Sequence, residues 1–348
     1  MRMLSWTLLV ALSAPAAEPP VTVSDLVSTL TGALATDPDD QRTARVIGNV
    51  RLSERLRGET VGLLRQRGAG PNTIRALEAL RKQSAAEPAP SQDPISTTPA
   101  PSATERAKIL DAMRGWTGAY LAGLPDFVCT RTVLQFRGYR REDWQGGGWP
   151  ISLADGRWHA AGSYSDQAGY VGGRDYYRVA FRDGKPFHGT LEQLGRDLSW
   201  GEFGGLMTEI LDPSREAAFV WDRWEVHGGR RMAVFRYAVD ARHSRYSLRT
   251  AASQPVTVAH GGFVYVDPRT GVIGRLVLNG VGLPSNFVIR AAADLLDYGE
   301  VAVGGASFVL PLRALAYQRA PTGETREEIE YRDYRKFQSE STVKFDER

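Results

Sequence analysis

The chain has 348 residues, of which 42% are hydrophobic and 24% are charged, so it is long enough for two domains of ordinary globular composition. Its 43 Lys and Arg residues nearly balance its 40 Asp and Glu residues, which argues against the strongly basic surface of a nucleic-acid-binding protein. The single cysteine, Cys129, excludes an internal disulfide and paired-cysteine motifs, and we expect it to be a buried thiol.

Residues 1–17 have the pattern of a secretory signal peptide. Arg2 precedes a short apolar run that ends at Leu12, and Ala14-Pro15-Ala16 then provides a small-x-small cleavage site. The apolar run is too short to span a bilayer comfortably. We therefore expect an exported protein, located in the periplasm or outside the cell, whose mature chain begins after this segment.

Residues 22–82 are predicted to form a small all-α domain, because their apolar residues recur at helical spacing. Within it, the turn Gly68-Ala69-Gly70-Pro71 resembles a helix-hairpin-helix motif, in which backbone N–H groups can bind a DNA phosphate. A tight turn between two helices also needs glycine for steric reasons alone. Since an exported protein rarely meets DNA, we expect no nucleic-acid partner, and the sequence leaves open whether this turn binds anything.

Residues 83–103 are rich in Pro, Ser, Thr and Ala, and this composition predicts an extended linker that cannot bury enough apolar surface to fold. The remaining segment, 104–348, begins with a predicted helix over about 104–122. Its start carries the Ser102-Ala103-Thr104-Glu105 pattern of a capping box. A second helix is expected around 191–211.

Strand patterns dominate the rest of the chain, where apolar and polar residues alternate, most clearly from Phe308 to Ala316. Alternation of this kind indicates an antiparallel sheet with one apolar face. No βαβ rhythm is present. The predicted fold class is α+β: a curved antiparallel sheet, or half-barrel, of about ten strands with covering helices, preceded by the small all-α domain.

The sequence contains no HExxH, GxSxG or P-loop motif, and its five histidines are scattered. We therefore expect no metal ion, no cofactor and no catalytic residue. His243 and His260 flank predicted loops, where a solvated surface role is commonest. Asp222 and Glu225, beside two tryptophans, are the best candidates for a glycosidase acid pair. On a regular strand, however, their side chains point to opposite faces, which argues against a pair.

The apolar face of the sheet is the remaining candidate for a binding site. Such a face must be covered by a helix, a second sheet or a ligand, and only two helices are predicted in this part of the chain. If the sheet curves, its concave side forms a cavity. The predicted lining residues, which could also be ordinary core residues, are Phe235, Tyr237, Phe263, Tyr265, Leu310 and Leu312.

The hairpin sequence from Gly262 to Ile273, with its Asp-Pro-Arg-Thr-Gly turn, resembles the strand–turn–strand of bacterial lipoprotein carriers of the LolA/LolB-like class. The resemblance covers about 104–348. The stretches 124–129 and 329–345 also resemble a group of uncharacterised exported bacterial proteins to which no activity is assigned. The carrier class implies a half-open barrel with a helical lid, a cavity that holds acyl chains, no cofactor and no catalytic residue.

Three functions follow as hypotheses. The first is a non-enzymatic protein of the cell envelope that binds a lipid or another amphiphile in the cavity of the curved sheet. The second is an envelope scaffold in which residues 22–82 dock a partner protein and the linker acts as a spacer. The third is a hydrolase whose site has no recognisable motif.

Overall fold

The computed structural model describes residues 20–36, 40–90, 98–138, 159–189, 203–249, 254–321 and 323–337. The predicted signal peptide, most of the helix expected around 191–211, and the end of the C-terminal stretch of resemblance lie outside the described residues. Contacts divide the chain into two compact units, one of Met1–Leu30 and Asp39–Ser91 and the other of Thr31–Pro38 and Gln92–Arg348.

The first unit is helical, as the spacing of its apolar residues predicts. Its helices are α1 (Val23–Thr36), α2 (Asp40–Gly48), α3 (Gly58–Gln66) and α4 (Pro71–Gln83), and α1 extends into the part of the chain assigned to the second unit. Buried side chains of these helices, together with Leu56 between α2 and α3, form the core of this unit. The helical members include Leu26, Val27, Ile47, Val61, Leu64, Leu77 and Leu80.

The first turn of α4 is capped from within the chain, by the carboxylate of Asp40 at the start of α2. This carboxylate accepts hydrogen bonds from the backbone N–H groups of Asn72 and Thr73, both at 2.8 Å. A Cβ atom on Gly70 would lie 2.4 Å from the Asp40 carboxyl carbon, so the glycine lets this acid approach. Two of the N–H groups that a phosphate at the start of α4 would contact are therefore already paired with Asp40.

The second unit contains one long helix, α5 (Ala103–Gly123), and its start is the predicted capping box. The Ser102 hydroxyl accepts from the Glu105 N–H at 3.3 Å, and the Glu105 carboxylate accepts from the Ser102 N–H at 2.7 Å. A short helix, α6 (Gly205–Leu211), follows later in the chain, and a single 3₁₀ turn spans Pro213–Arg215.

Thirteen strands are present among the described residues. They are β1 (Phe127–Gly138), β2 (His159–Val171), β3 (Arg174–Arg182), β4 (Lys185–Pro186), β5 (Ala218–His227), β6 (Arg230–Val239), β7 (Ser247–Leu248), β8 (Val256–Thr257), β9 (Ala259–Val266), β10 (Ile273–Val281), β11 (Ala291–Val303), β12 (Ala306–Ala320) and β13 (Gly323–Lys336).

Eleven of these strands form one antiparallel sheet in the order β4-β3-β2-β1-β13-β12-β11-β10-β9-β6-β5, and β7 pairs with β8 in a separate hairpin. The sheet is open, since β4 and β5 are its two edges among the described strands. The second unit has the predicted α+β architecture, and the eleven strands of its main sheet are close to the predicted number of about ten.

One cluster of buried apolar side chains crosses the face of the sheet that bears Cys129, Phe235, Val264, Leu278 and Ile329, which we call the inner face. The cluster has members on nine strands that are adjacent in the sheet, which run in the order β2-β1-β13-β12-β11-β10-β9-β6-β5. It also has members on α5 and α6. Nine flat strands would be about 38 Å wide, whereas a helix is about 10 Å wide. Among the described residues, α5 and α6 supply the helical members of this cluster, and the strands supply most of the others.

Candidate functional site

Three of the six predicted lining residues lie together on the inner face. Phe235 and Tyr237 on β6 and Leu310 on β12 belong to the main apolar cluster and are 2% exposed or less. Phe235 also packs edge-on against Trp221 of β5, with ring centroids 5.5 Å apart. The structure leaves their predicted role in ligand binding open, because all three are also core residues.

Phe263 and Tyr265 of β9 lie on the opposite side of the sheet, the outer face. Phe263 pairs with Arg236 and Tyr265 pairs with Val234, so their side chains point away from those of Phe235 and Tyr237. The prediction that they share a cavity with Phe235 is therefore wrong. They form a separate apolar cluster with Met232, Val234 and Val277.

Leu312 is the third residue that does not join the inner group. It is 39% exposed and lies against Gly299, next to a shift in the pairing of β11 with β12 between Asp297 and Tyr298. The shift interrupts the regular alternation along β12. Leu310 and Leu312, two positions apart, therefore have different surroundings.

Aromatic rings from four elements meet where the helical cover contacts β1 and β13. Phe203, just before α6, packs edge-on against Phe127 and Tyr331, with ring centroids 5.2 and 5.7 Å apart. The hydroxyl of Tyr120 on α5 donates to the Phe203 carbonyl at 3.0 Å. This part of the inner face is almost entirely apolar, apart from the buried ion pair of Arg131 with Asp166, whose closest atoms are 2.6 Å apart.

A buried polar cluster interrupts the inner face near α6, and the carboxylate of Glu209 lies at its centre. Glu209 accepts a hydrogen bond from the Arg245 N–H at 2.6 Å, contacts His260 Nε2 at 3.2 Å and forms an ion pair with Arg215 at 3.3 Å. We call the residues Glu209, Arg215, Tyr237, Tyr246, His260 and Asp294 the polar end of the inner face. Each is buried or, in the case of Tyr246, half-buried.

The contacts of Glu209 keep it ionised and orient the His260 ring. Burial raises the pKa of Glu209, but the hydrogen bonds from His260 and Arg245 and the charge of Arg215 hold it below its ordinary value. In the singly protonated ring, the proton on His260 Nε2 then completes the bond to this carboxylate. Nδ1 is left with a free lone pair.

Three polar atoms of this cluster, Tyr237 Oη, His260 Nδ1 and Arg215 Nε, are buried without a hydrogen-bond partner in the part of the chain that the structure describes. Of these, Arg215 Nε still lies 3.3 Å from the Glu209 carboxylate as part of their ion pair. The two rings meet edge-on, with centroids 5.8 Å apart. Burial, followed by the negative charges of Asp294 and Glu209, raises the pKa of the Tyr237 hydroxyl well above its ordinary value. The hydroxyl therefore stays protonated and can act as a donor, while Nδ1 can act as an acceptor.

The solvated surface role expected for His260 is wrong. His260 lies within β9, pairs with Val239, and is 1% exposed. The sequence signal for this position was present, because His260, Gly262, Val264 and Val266 alternate with the larger Phe263 and Tyr265. Because Phe263 and Tyr265 are larger, the sequence predicts them on the inner face, and His260 is therefore not expected there.

The outer face carries a second buried polar group, which is made of two arginines with their acids. Arg275 pairs with Asp297, with contacts of 2.5 and 2.8 Å. Arg223 contacts Glu225 at 2.6 Å and also Asp222. A shift in strand pairing between Trp221 and Arg223 brings both acids to one guanidinium, so the prediction that they point apart is wrong. Both carboxylates form ion pairs with Arg223, and Glu225 is fully buried.

Searches for metal and membrane features give negative results within the described ranges. No group of three or more His, Cys, Asp or Glu residues there could hold a metal ion. No helix in the same ranges has both the length and the apolar composition to cross a bilayer. Cys129 is buried on β1.

Comparison with known proteins points to similarity of fold. No family model and no curated protein matches the chain. Among solved structures it is similar to a LolA superfamily protein from Nitrosomonas europaea, with 11% identity and a TM-score of 0.34 over 67% of this chain and 93% of that one. It is also similar to a DUF1329 family protein from Desulfovibrio piger, with 12% identity and a TM-score of 0.31 over 73% of this chain and 96% of that one.

An outer membrane lipoprotein-sorting protein domain from Vibrio parahaemolyticus is a third similar structure. It has 10% identity and a TM-score of 0.28, over 68% of this chain and 93% of that one.

Proposed function

We propose that this protein is exported to the cell envelope and binds a lipid or another amphiphile against the inner face of its curved sheet, without catalysing a reaction. The observation that carries the proposal is the continuous apolar cluster across nine strands, to which only α5 and the seven-residue α6 contribute helical residues within the described ranges. Two helices, each about 10 Å wide, are narrower than the nine strands, and the ligand is proposed to pack against the same face.

Burial of an acyl chain supplies the binding energy in this proposal. Each methylene group removed from water contributes about 0.8 kcal/mol, so a chain of about ten carbons is sufficient for useful affinity. The pattern of residues 1–17 supports export. The resemblance to LolA/LolB-like carriers implies the same kind of ligand, and the ion pairs buried on the two faces suit structural pairing better than hydrolysis.

Two measurements test the proposal directly. Native mass spectrometry of protein purified without detergent is expected to show a co-purifying lipid. The apolar fluorophore N-phenyl-1-naphthylamine is expected to gain fluorescence on binding and to lose it when decanoic acid or decanol is added. Absence of both a co-purified lipid and a fluorescence change would contradict the proposal.

Residues 22–82 are proposed to contact a second protein of the cell envelope. The helical unit has an exposed apolar residue, Val46, and carries arginines on α2, α3 and α4. The full chain and a chain that begins at residue 98 should be compared in a pull-down from envelope extract. Capture of the same proteins by both chains would contradict a docking role for this unit.

A further inference from the structure

We propose that the polar end of the inner face is a headgroup site, and that it selects amphiphiles with an uncharged hydroxyl group. The inference rests on the proposed function and adds the chemical class of the ligand. It starts from two atoms, Tyr237 Oη and His260 Nδ1, which are buried and have no hydrogen-bond partner among the described residues. A buried polar group without a partner is costly, so a partner from outside the chain is expected.

The strand register brings the two atoms to neighbouring positions on the same face. Tyr237 pairs with Gly262 and His260 pairs with Val239, so the two side chains are diagonal neighbours on β6 and β9. Glycine at position 262 is required there, because a Cβ atom would lie 1.9 Å from the Val277 carbonyl oxygen. This glycine leaves the inner face beside Tyr237 without a side chain.

The protonation states of the cluster define what can bind. In this proposal His260 is the neutral imidazole whose Nε2 proton bonds to Glu209, so that its Nδ1 is an acceptor and the Tyr237 hydroxyl is a donor. A ligand hydroxyl group accepts from the Tyr237 hydroxyl and donates to Nδ1. An ether oxygen can only accept, and a carboxylate is repelled by Glu209 and Asp294, which are both buried in the same cluster.

The remaining members of the cluster are engaged with one another. Arg215 is paired with Glu209 at 3.3 Å, and its Nη1 donates to the His243 carbonyl at 3.1 Å. The Tyr246 hydroxyl donates to Asp294 at 3.0 Å. The apolar residues Phe235 and Val239 flank Tyr237 on β6, so an alkyl chain attached to the bound hydroxyl would lie along the apolar cluster.

The test uses a pair of isomers, 1-decanol and methyl nonyl ether, as competitors of bound N-phenyl-1-naphthylamine on the full chain, with decanoate as a third competitor. In the wild type we expect decanol to bind about tenfold more tightly than the ether, which cannot donate to Nδ1. Decanoate is expected to bind more weakly than decanol at neutral pH.

The decisive variant is Tyr237→Phe, which removes a hydroxyl that has no partner in the described structure and is therefore expected to fold. It should weaken decanol binding about tenfold. Tyr317→Phe is the matched control, because it removes a buried hydroxyl from the outer face of β12, where it donates to Glu324 at 3.1 Å. It should leave the decanol affinity unchanged.

The outcomes separate this proposal from the proposed function. The headgroup site is overturned if decanol and methyl nonyl ether displace the fluorophore equally well, or if Tyr237→Phe leaves the decanol affinity unchanged. Amphiphile binding itself would remain intact in either case. A bound water molecule would then satisfy Tyr237 Oη and His260 Nδ1. Failure of the fluorophore to bind the wild-type protein overturns both proposals.

Discussion

Glu209 shows how one carboxylate fixes the positions of several elements. It lies on α6, yet its hydrogen-bond partners are the backbone before β7 and a histidine on β9, and its ion-pair partner is Arg215 in the 3₁₀ turn. Because these contacts stabilise the ionised form, they lower the pKa of Glu209 despite its burial. The same contacts therefore stabilise the fold only while the carboxylate is charged.

This coupling predicts a pH dependence of stability. A carboxyl group whose pKa is lower in the folded state contributes stability above its unfolded pKa of about 4.3, and this contribution is lost as the pH falls through the folded pKa. The free energy of unfolding of Glu209→Gln should therefore decline less steeply than that of the wild type below about pH 4.3. Urea denaturation followed by tryptophan fluorescence at several pH values measures the two slopes.

Glu216→Gln is the control for this prediction. The Glu216 side chain is 68% exposed, and its recorded ion-pair contact is a 3.6 Å approach to His243. Its replacement should leave the slope of the wild type unchanged. If the free energy of unfolding changes with pH equally steeply in the wild type and in Glu209→Gln, then the pKa of Glu209 does not differ between the folded and unfolded states.

The outer-face pair of Arg275 with Asp297 permits a second prediction at this scale. Asp297→Asn leaves a buried guanidinium without its counter-charge and should destabilise the protein by about 3–5 kcal/mol. Arg242 and Asp240 form an exposed pair with a contact of 3.4 Å, so Asp240→Asn should cost less than about 1 kcal/mol. Denaturant midpoints of the two variants measure the two stability losses. Similar losses would mean that burial does not determine how much the Arg275–Asp297 pair contributes to stability.

At the scale of the element, the turn between β9 and β10 packs directly against the middle of α5. Gly271 has a φ of +74°, and a Cβ atom there would lie 2.3 Å from the Ala112 carbonyl oxygen. The Asp267 carboxylate supports the turn by accepting from the Arg269 N–H at 2.9 Å. The Asp-Pro-Arg-Thr-Gly sequence thus has a structural role, which is to hold the helix close to the end of the hairpin.

The contact predicts different costs for two glycine substitutions of similar backbone geometry. Gly184, with a φ of +75°, has open space around its missing Cβ. Gly184→Ala should cost about 1–2 kcal/mol from backbone strain alone. Gly271→Ala should cost about 1–3 kcal/mol more, because the methyl group overlaps α5. Equal losses in thermal or urea unfolding would show that the turn moves away from the helix at no cost.

Strand alternation shows why the sequence predicted the elements better than the site. Alternation identifies residues that share a face, and the capping box and strands such as β1 and β12 were predicted on this basis. It does not identify the inward face when both faces are apolar, as in β9 with Val264 on one side and Phe263 on the other. Shifts in strand pairing near Asp222 and Leu312 also change the face toward which the side chains point. The sequence around these residues carries no obvious signal of the shift.

The polar end of the inner face could not be predicted from spacing, for a related reason. Glu209 and His260 are 51 positions apart, and Asp294 lies on a third element. Only the strand order brings them together. The sequence shows five scattered histidines, and the hydrogen bonds of His260 become apparent only when the register of β6 with β9 is known.

At the scale of the whole molecule, the aromatic residues are divided unequally between the two units. Trp6 is the one aromatic residue before Trp116, so a chain that begins after the predicted signal peptide has no Trp, Tyr or Phe in its helical segment. Tryptophan fluorescence therefore reports on the sheet unit. Circular dichroism at helical wavelengths reports on both units, and α1 to α4 make a large contribution to it.

This distribution allows the two units to be tested as separately folding domains within the intact chain. Asp40→Ala removes the carboxylate that caps α4 and should destabilise the helical unit by about 1–2 kcal/mol. Since each unit has its own core, the helical signal should melt at a lower temperature while the tryptophan transition stays unchanged. Asp212→Ala is the reciprocal control, because Asp212 caps the 3₁₀ turn of the sheet unit by accepting from the Ser214 N–H at 2.8 Å. It should shift the tryptophan transition alone, whereas movement of both signals in either variant would show that the chain unfolds as one cooperative body.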